Sequence, residues 1–317
     1  MKAPLCTNLR GVFAATAISL AISAPSAPAS ESNGSPYPVG VDTNLGGLML
    51  PEGLNTLAYY SRYSAGTITD GDGHSRAAVT DYDVEVNALA LRLSYVWPGA
   101  RLWGANLETR LVLSVPTIDL TLDIARAGGL PPLDRGGSLT ALGDTTFAPV
   151  LLGWHSKSLH QIAGVESFLP TGKYDADEPV NTGRNHYQVA PFYAVTWFPS
   201  PKWETSAKLR YAINSTNDDT DYRSGDELTL EFSGGYRFTD KLSAGLNGYW
   251  FEQTTDDRVD GEAVAEGGNR GSVKALGPYL SYRVAPNFAV MLKWQQEFAA
   301  ENKPEGSRFW LQTRLPF

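Results

Sequence analysis

The chain has 317 residues, 42% hydrophobic and 19% charged, with a formal net charge of −8 and one cysteine. Beyond the N-terminus no 18 consecutive residues are apolar, which excludes a spanning helix there. The acidic balance argues against nucleic acid as a partner, and one cysteine excludes a disulfide within the chain.

The N-terminus comes first. Lys2 and Arg10 flank a positive stretch, "GVFAATAISLAISA" at residues 11–24 is an apolar core of 14 residues, and Ala27-Pro28-Ala29 supplies a small-residue cleavage pattern. This is the plan of a secretory signal peptide over residues 1–29. Cys6 lies inside it, so the mature chain is expected to carry no thiol chemistry. Loss of the two cations takes the formal charge from −8 to −10. Residues 30–53 follow as an N-terminal segment. Its "SPYPVGVDTNLGGLMLPEG" (35–53) is rich in Gly and Pro yet holds the apolar "LGGLML". Two placements fit it, a plug inside a lumen or a periplasmic tail.

From Leu54 to Phe317 one unit recurs, a run of alternating residues followed by a break. Twelve strands are expected, over 54–68, 84–97, 101–117, 143–154, 159–174, 185–198, 203–215, 226–238, 242–254, 273–284, 288–300 and 307–317. Short breaks, "WPGA" (97–100), "HSKS" (155–158), "PSPK" (199–202), "TDK" (239–241) and "APN" (285–287), carry turn residues. They alternate with long breaks at 69–83, 118–142, 175–184, 216–225, 255–272 and 301–306. An even number of antiparallel strands, with short turns at one end and long loops at the other, predicts a twelve-stranded antiparallel transmembrane β-barrel of the outer-membrane type.

Parity within the strands supports this. In "KWETSAKLRYAI", Trp203, Ala207, Leu209, Tyr211 and Ile213 share one face and Glu204, Lys208 and Arg210 the other. In "ELTLEFSGGYRF", Leu228, Leu230 and Phe232 oppose Glu227, Glu231 and Arg237. A charge facing lipid at the midplane costs about 2–4 kcal/mol, so a bilayer demands such segregation. Trp97, Trp154, Trp197, Trp203, Trp250, Trp294 and Trp310 stand near strand ends, where rings form interfacial girdles. The chain ends in "SRFWLQTRLPF", a strand closing on Phe317. A closed barrel must pair its last strand with its first. The terminal aromatic resembles the signal that outer-membrane assembly machinery reads.

Three stretches, "LGDTTFAPVLLGWH" (142–155), "GVESFLPTGKYD" (164–175) and "NTGRNHYQVAPFYAVTW" (181–197), resemble consecutive strands of the outer-membrane protein family of the MetA-pathway of phenol degradation. The likeness covers about 55 residues and then the terminal Phe. It implies an outer-membrane channel for small apolar or aromatic compounds, without a cofactor.

The wet parity carries Arg62, Arg92, Glu108, Arg110, Glu166, Lys208, Arg210, Glu227, Glu231, Arg237, Arg283, Lys293 and Glu297. These are the candidates for lining the lumen, either around an open pore or as a packed ion-pair network. Both signs are mixed, so strong ion selectivity is not expected. "DGDGHSRAAVTD" (70–81) lacks the sixth-position Gly and twelfth-position Glu of a calcium loop, and reads as a solvated outer loop. Divalent cations bridging loop acids to lipopolysaccharide would be unspecific.

Two other functions stay in view. A structural or adhesive barrel needs no passage. A barrel lipid hydrolase needs a nucleophile, base and orienting group, but of the four histidines only His186 falls on a wet strand parity near the outer rim, and Gly-x-Ser-x-Gly is absent. Expected partners are outer-membrane lipid and lipopolysaccharide, the assembly machinery through Phe317, and a small-molecule solute. No catalytic, cofactor-binding or metal-binding residue is assigned.

Overall fold

A computed structural model describes residues 34–264, 268–285 and 288–315. The expected signal peptide and Phe317 lie outside these residues.

Twelve long strands form the wall: β1 (Gly53–Ala65), β2 (Val79–Leu102), β3 (Ala105–Ile124), β4 (Thr145–His155), β5 (Leu159–Leu169) and β6 (Gln188–Ser200). They continue as β7 (Trp203–Asn214), β8 (Glu227–Arg237), β9 (Leu242–Gln253), β10 (Ser272–Ala285), β11 (Phe288–Glu301) and β12 (Ser307–Leu315). Each pairs antiparallel with its sequence neighbours, and β1 pairs with β12 from Thr56↔Leu315 to Ser64↔Ser307. The sheet is therefore closed, every interior edge is hydrogen-bonded, and the chain is an all-β, twelve-stranded antiparallel barrel.

Strand number and alternation agree with the sequence reading, but several boundaries differ, among them the end of β5 at Leu169 instead of 174, and two of the differences are informative. Residues 97–100 are not a turn. They form a bulge within β2, where the pairing jumps from Val96↔Glu108 to Arg101↔Asn106. The hairpin turns instead at Trp103 and Gly104, with φ of 50° and 78°. Two consecutive left-handed residues make the tight turn that matches strand twist. Trp is a rare choice there, which hid it in the sequence.

The second difference lies at the opposite end. Residues 79–83 and 118–124, expected in loops, are paired extensions of β2 and β3. The pieces Leu133–Asp134 and Gly137–Thr140 add to the same β3 edge. Two further short ladders, Tyr222–Arg223 with Arg258–Val259 and then Glu262–Ala263, fold the outer loops over the rim.

The apolar parity explains where the extension begins. Lower in the hairpin, Leu89, Leu91, Leu113 and Val115 point outward and are exposed. Above the paired Val86↔Ile118 the apolar positions change parity. Val84, Val86, Ile118, Leu120, Leu122 and Ile124 line an internal vestibule, while Asp119, Thr121 and Asp123 take the outer face. Outward apolar residues suit lipid, and inward ones suit a segment standing in water. The switch marks the height at which the strands leave the bilayer.

Six of the seven tryptophans expected in girdles face outward, with Trp97, Trp197, Trp203, Trp250 and Trp294 exposed and Trp154 partly so, but Trp294 stands in the middle of β11 and not near its end. Trp310 does not face outward. It is buried in the lumen, where its Nε1 donates to Gln295 Oε1 at 3.0 Å. The parity of β12 already required this, since Trp310 alternates with outward Phe309 and Leu311.

Candidate functional site

Residues 34–50 run through the barrel interior from the long-loop end to the short-turn end. At the top Ser35 donates to Glu227 (2.7 Å). Next, the Tyr37 hydroxyl (2.6 Å) and the Gly40 amide (2.5 Å) both donate to Glu231. Lys293 Nζ donates to the carbonyls of Gly40 and Val41, each at 2.8 Å, and Gln312 to Val41 at 2.8 Å. Lower down, Leu45 N reaches Ser206 (3.0 Å) and Gly47 N reaches Thr196 (3.1 Å). Met49 packs on a small apolar floor with Leu151 and Ile162. Of the two placements open to this segment, the structure has the lumenal one.

Glycine makes the fit possible at two points. Gly40 has φ of 94°, and a Cβ there would fall 2.3 Å from Gln295 Oε1. At Gly47 a Cβ would fall 2.5 Å from the backbone of His160 and Thr196, so the segment lies directly against the wall.

Beside the segment a chain of ion pairs runs along the lumenal wall and ends on it. Arg92 pairs with Glu108 (3.1 Å), Glu108 with Arg110 (2.9 Å), Arg110 with Glu166 (3.2 Å), Glu166 with Lys208 (3.0 Å) and Lys208 with Asp42 (2.7 Å). A second group joins Arg210 to Glu227 at 3.7 Å, with Gln188 hydrogen-bonded to both. The Tyr37 ring covers these cations, 4.4 Å from the Arg210 guanidinium and 5.0 Å from Lys208 Nζ. Buried charges persist only when paired and hydrogen-bonded, and opposite signs on the inward faces of β2, β3, β5 and β7 supply the partners.

The thirteen lumen candidates divide by place. Glu108, Arg110, Glu166, Lys208, Arg210, Glu227, Glu231, Lys293 and Glu297 are buried within the barrel, and Arg92 reaches the same network. Arg237 and Arg283 border a crevice of about 200 Å³ at the short-turn end, shared with Glu204, Asp240 and Lys241. Arg62 is a correction: it faces outward near the long-loop rim and pairs with Glu85 at 2.5 Å, with 54% of its side chain exposed. The inward residues of β1 are instead Tyr59, Ser61 and Tyr63.

Above the segment the lumen opens into two joined spaces. The inner, of about 350 Å³, is bounded by Tyr37, Tyr59, Tyr63, Tyr249, Phe251 and Trp310. The outer is the vestibule of about 430 Å³ between the β2–β3 extension and the loop around Pro179 and Val180. Gly34, Val86, Ile118, Asn181, Arg184 and Pro304 border both. Sequence reasoning passed over the tyrosines because it scored the wet parity by charge alone. Tyr59, Tyr63 and Tyr249 stand on that parity and were legible as such.

The remaining motifs are peripheral. His186 is buried at the start of β6, its Nδ1 3.2 Å from the Tyr187 carbonyl, while His155 and His160 face each other at the short-turn end. In the first long loop the ligand atoms of Asp70, Asp72 and His74 lie within 4.8 Å of one another. The Asp70 carboxylate already accepts the amides of His74 (2.9 Å) and Asp72 (3.0 Å), which hold it below its ordinary pKa. That is a self-satisfied turn.

Residues 67–313 match the profile of the MetA-pathway of phenol degradation family. The chain belongs to this family. Among solved structures, an outer membrane channel from Pseudomonas putida F1 superposes with a TM-score of 0.71 at 20% identity, over 85% of this chain and 97% of that one. The beta domain of the Bordetella autotransporter BrkA superposes with a TM-score of 0.50 at 12% identity, over 84% and 100%. At these identities the likeness is one of fold, and the fold is that of outer-membrane barrels. None of the curated sequences compared with the chain matches it. The family match spans the β2–β3 hairpin, the lumenal ion pairs and most of β12, and so takes in nearly the whole wall around the segment.

Proposed function

We propose that this member of the phenol-degradation family is an outer-membrane channel for passive uptake of small apolar or aromatic compounds, closed at rest by its own N-terminal segment. One observation carries the reading: an apolar vestibule leads into an aromatic cavity that ends on the Tyr37–Asp42 stretch, held to the wall by side chains of β7, β8, β11 and β12. Apolar lining with a few polar groups is how proteins hold such solutes. The outer-membrane channel from Pseudomonas putida F1 supports the reading by fold.

The rest of the proposal follows from the same layout. Residues 1–29 act as a cleaved signal, short turns face the periplasm and long loops face outside. Passage needs no catalytic group, and the buried ionisable groups serve to hold the segment. The test deletes residues 34–50 with the strands intact. Unitary conductance in planar bilayers should rise, and swelling of liposomes should extend to polar solutes. A channel reading is rejected if neither the intact nor the deleted protein conducts or admits any solute in a panel of aromatic and polar compounds. A packed structural barrel would then account for the lumenal ion pairs.

A further inference from the structure

Charged side chains border the aromatic cavity. Three cations border it, Arg184, Lys303 and Arg308, with two carboxylates, Asp144 and Glu297. The carboxylates are already engaged by uncharged donors. Glu297 accepts Tyr249 (2.5 Å), Tyr63 (2.8 Å) and the Gly306 amide (2.8 Å). Asp144 accepts the amides of Gly172 (3.0 Å) and Arg184 (2.9 Å).

Arg308 differs from the other lumenal guanidiniums. Among the described residues it pairs with no carboxylate within 4.0 Å, whereas Arg92, Arg110 and Arg210 each face a glutamate. The Arg308 guanidinium carbon lies 4.8 Å from the centre of the Tyr63 ring and 5.7 Å from that of Trp310. A guanidinium that borders a cavity and meets no carboxylate of the chain is placed to receive one from a solute. A carboxylate fits its planar fork, and the flanking rings offer stacking to an aromatic body.

The way in has the same bias. The vestibule is lined by apolar side chains, and its charged residues among those described are Arg76 and Arg184, with no acid. Arginine thus recurs from mouth to cavity, at Arg76, Arg184 and Arg308.

We infer that the cavity above the N-terminal segment is a binding site for monocyclic aromatic carboxylates, with Arg308 receiving the carboxylate and Tyr63 and Trp310 flanking the ring. The inference deepens the channel reading by naming a substrate class and rests on it for the direction of travel. Binding itself does not require passage, so the two can fail separately.

The test is calorimetric titration of the folded protein in detergent with benzoate, benzyl alcohol and acetate. Benzoate should bind at least about tenfold tighter than benzyl alcohol, as one charge-assisted pair allows, and acetate should bind far more weakly than benzoate. Arg308→Gln should bring benzoate to the level of benzyl alcohol and leave benzyl alcohol unchanged. Arg308→Lys should keep the preference for the acid at reduced strength. Equal affinity for benzoate and benzyl alcohol in the unaltered protein overturns the inference, as does a benzoate preference that survives Arg308→Gln. Heat-modifiable mobility in gels verifies folding. Should Arg308→Gln not fold, the ratio of benzoate to benzyl alcohol in the unaltered protein and in Arg308→Lys decides. Tight benzoate binding with no conductance before or after deletion of residues 34–50 would sink the channel and leave the site standing. Conductance without any preference for the acid would do the reverse.

Discussion

Lys208 Nζ lies 2.7 Å from Asp42 Oδ2, and through this pair the N-terminal segment is tied to the barrel wall at β7. The same ammonium reaches Glu166 at 3.0 Å and is buried, so one side chain fastens the segment and completes the wall's own ion-pair chain.

Lys208→Met removes the cation and leaves Asp42 and Glu166 without it. Breaking a buried pair by deleting one partner costs about 3–5 kcal/mol. Reversible unfolding from lipid vesicles should show a loss of that order, and the segment should loosen, raising conductance. Asp42→Asn keeps Glu166 paired and should be milder in stability while still raising conductance. Equal stability losses for the two would mean that Asp42 matters to the wall as much as Glu166 does.

Gly47→Val should displace the lower half of the segment, because a side chain there meets the backbone of His160 and Thr196. The strands are untouched, so folding into vesicles should be nearly as efficient as before. Increased open probability in planar bilayers is the expected readout. Unchanged gating would show that the lower half of the segment does not control passage.

Two outward-facing positions should respond differently according to their depth in the bilayer. Leu209 is 49% exposed on the outward face at mid-strand, between Tyr193 and Leu230. Leu209→Arg should destabilise the folded barrel by about 2–4 kcal/mol in lipid. Arg62→Leu, on the same outward face but at the rim, removes a largely solvated pair of the kind worth about 0–1 kcal/mol. A small effect at Leu209 would reject the assignment of this face to lipid.

Topology can be read on intact cells. A cysteine at Glu262, in the folded long loop after β9, should react with an impermeant maleimide. One at Lys202, in the turn between β6 and β7, should not. The opposite labelling would invert the barrel.

Much of this molecule was legible in the residues because a bilayer is an unforgiving solvent. Lipid offers no hydrogen bonds and penalises charge, so the sequence must alternate apolar with polar, and must count its strands to an even closure. Hence Leu209, Leu228 and Leu230 could be set on one face and Lys208, Glu227 and Glu231 on the other by parity, and the tryptophans near strand ends told which face is outward. Even the height of the bilayer is written in β2 and β3, where the apolar parity switches between Leu89 and Val86 and between Val115 and Ile118. Reading 118–124 as loop overlooked that a strand may continue into water with its apolar face reversed. What parity could not decide is which inward groups meet across the lumen. Arg62 carried the right charge for the interior yet stands outside, because β1 presents its odd-numbered residues inward. Trp310 looked like a girdle residue and is a lumenal donor. The pairing of Lys208 with Asp42, the burial of Tyr37 over Arg210, and the guanidinium of Arg308 left without an acid all join residues from distant parts of the chain. They depend on strand tilt, register and the path of residues 34–50. Alternation determines the face of each side chain, but only closure of the sheet around that segment determines its partner.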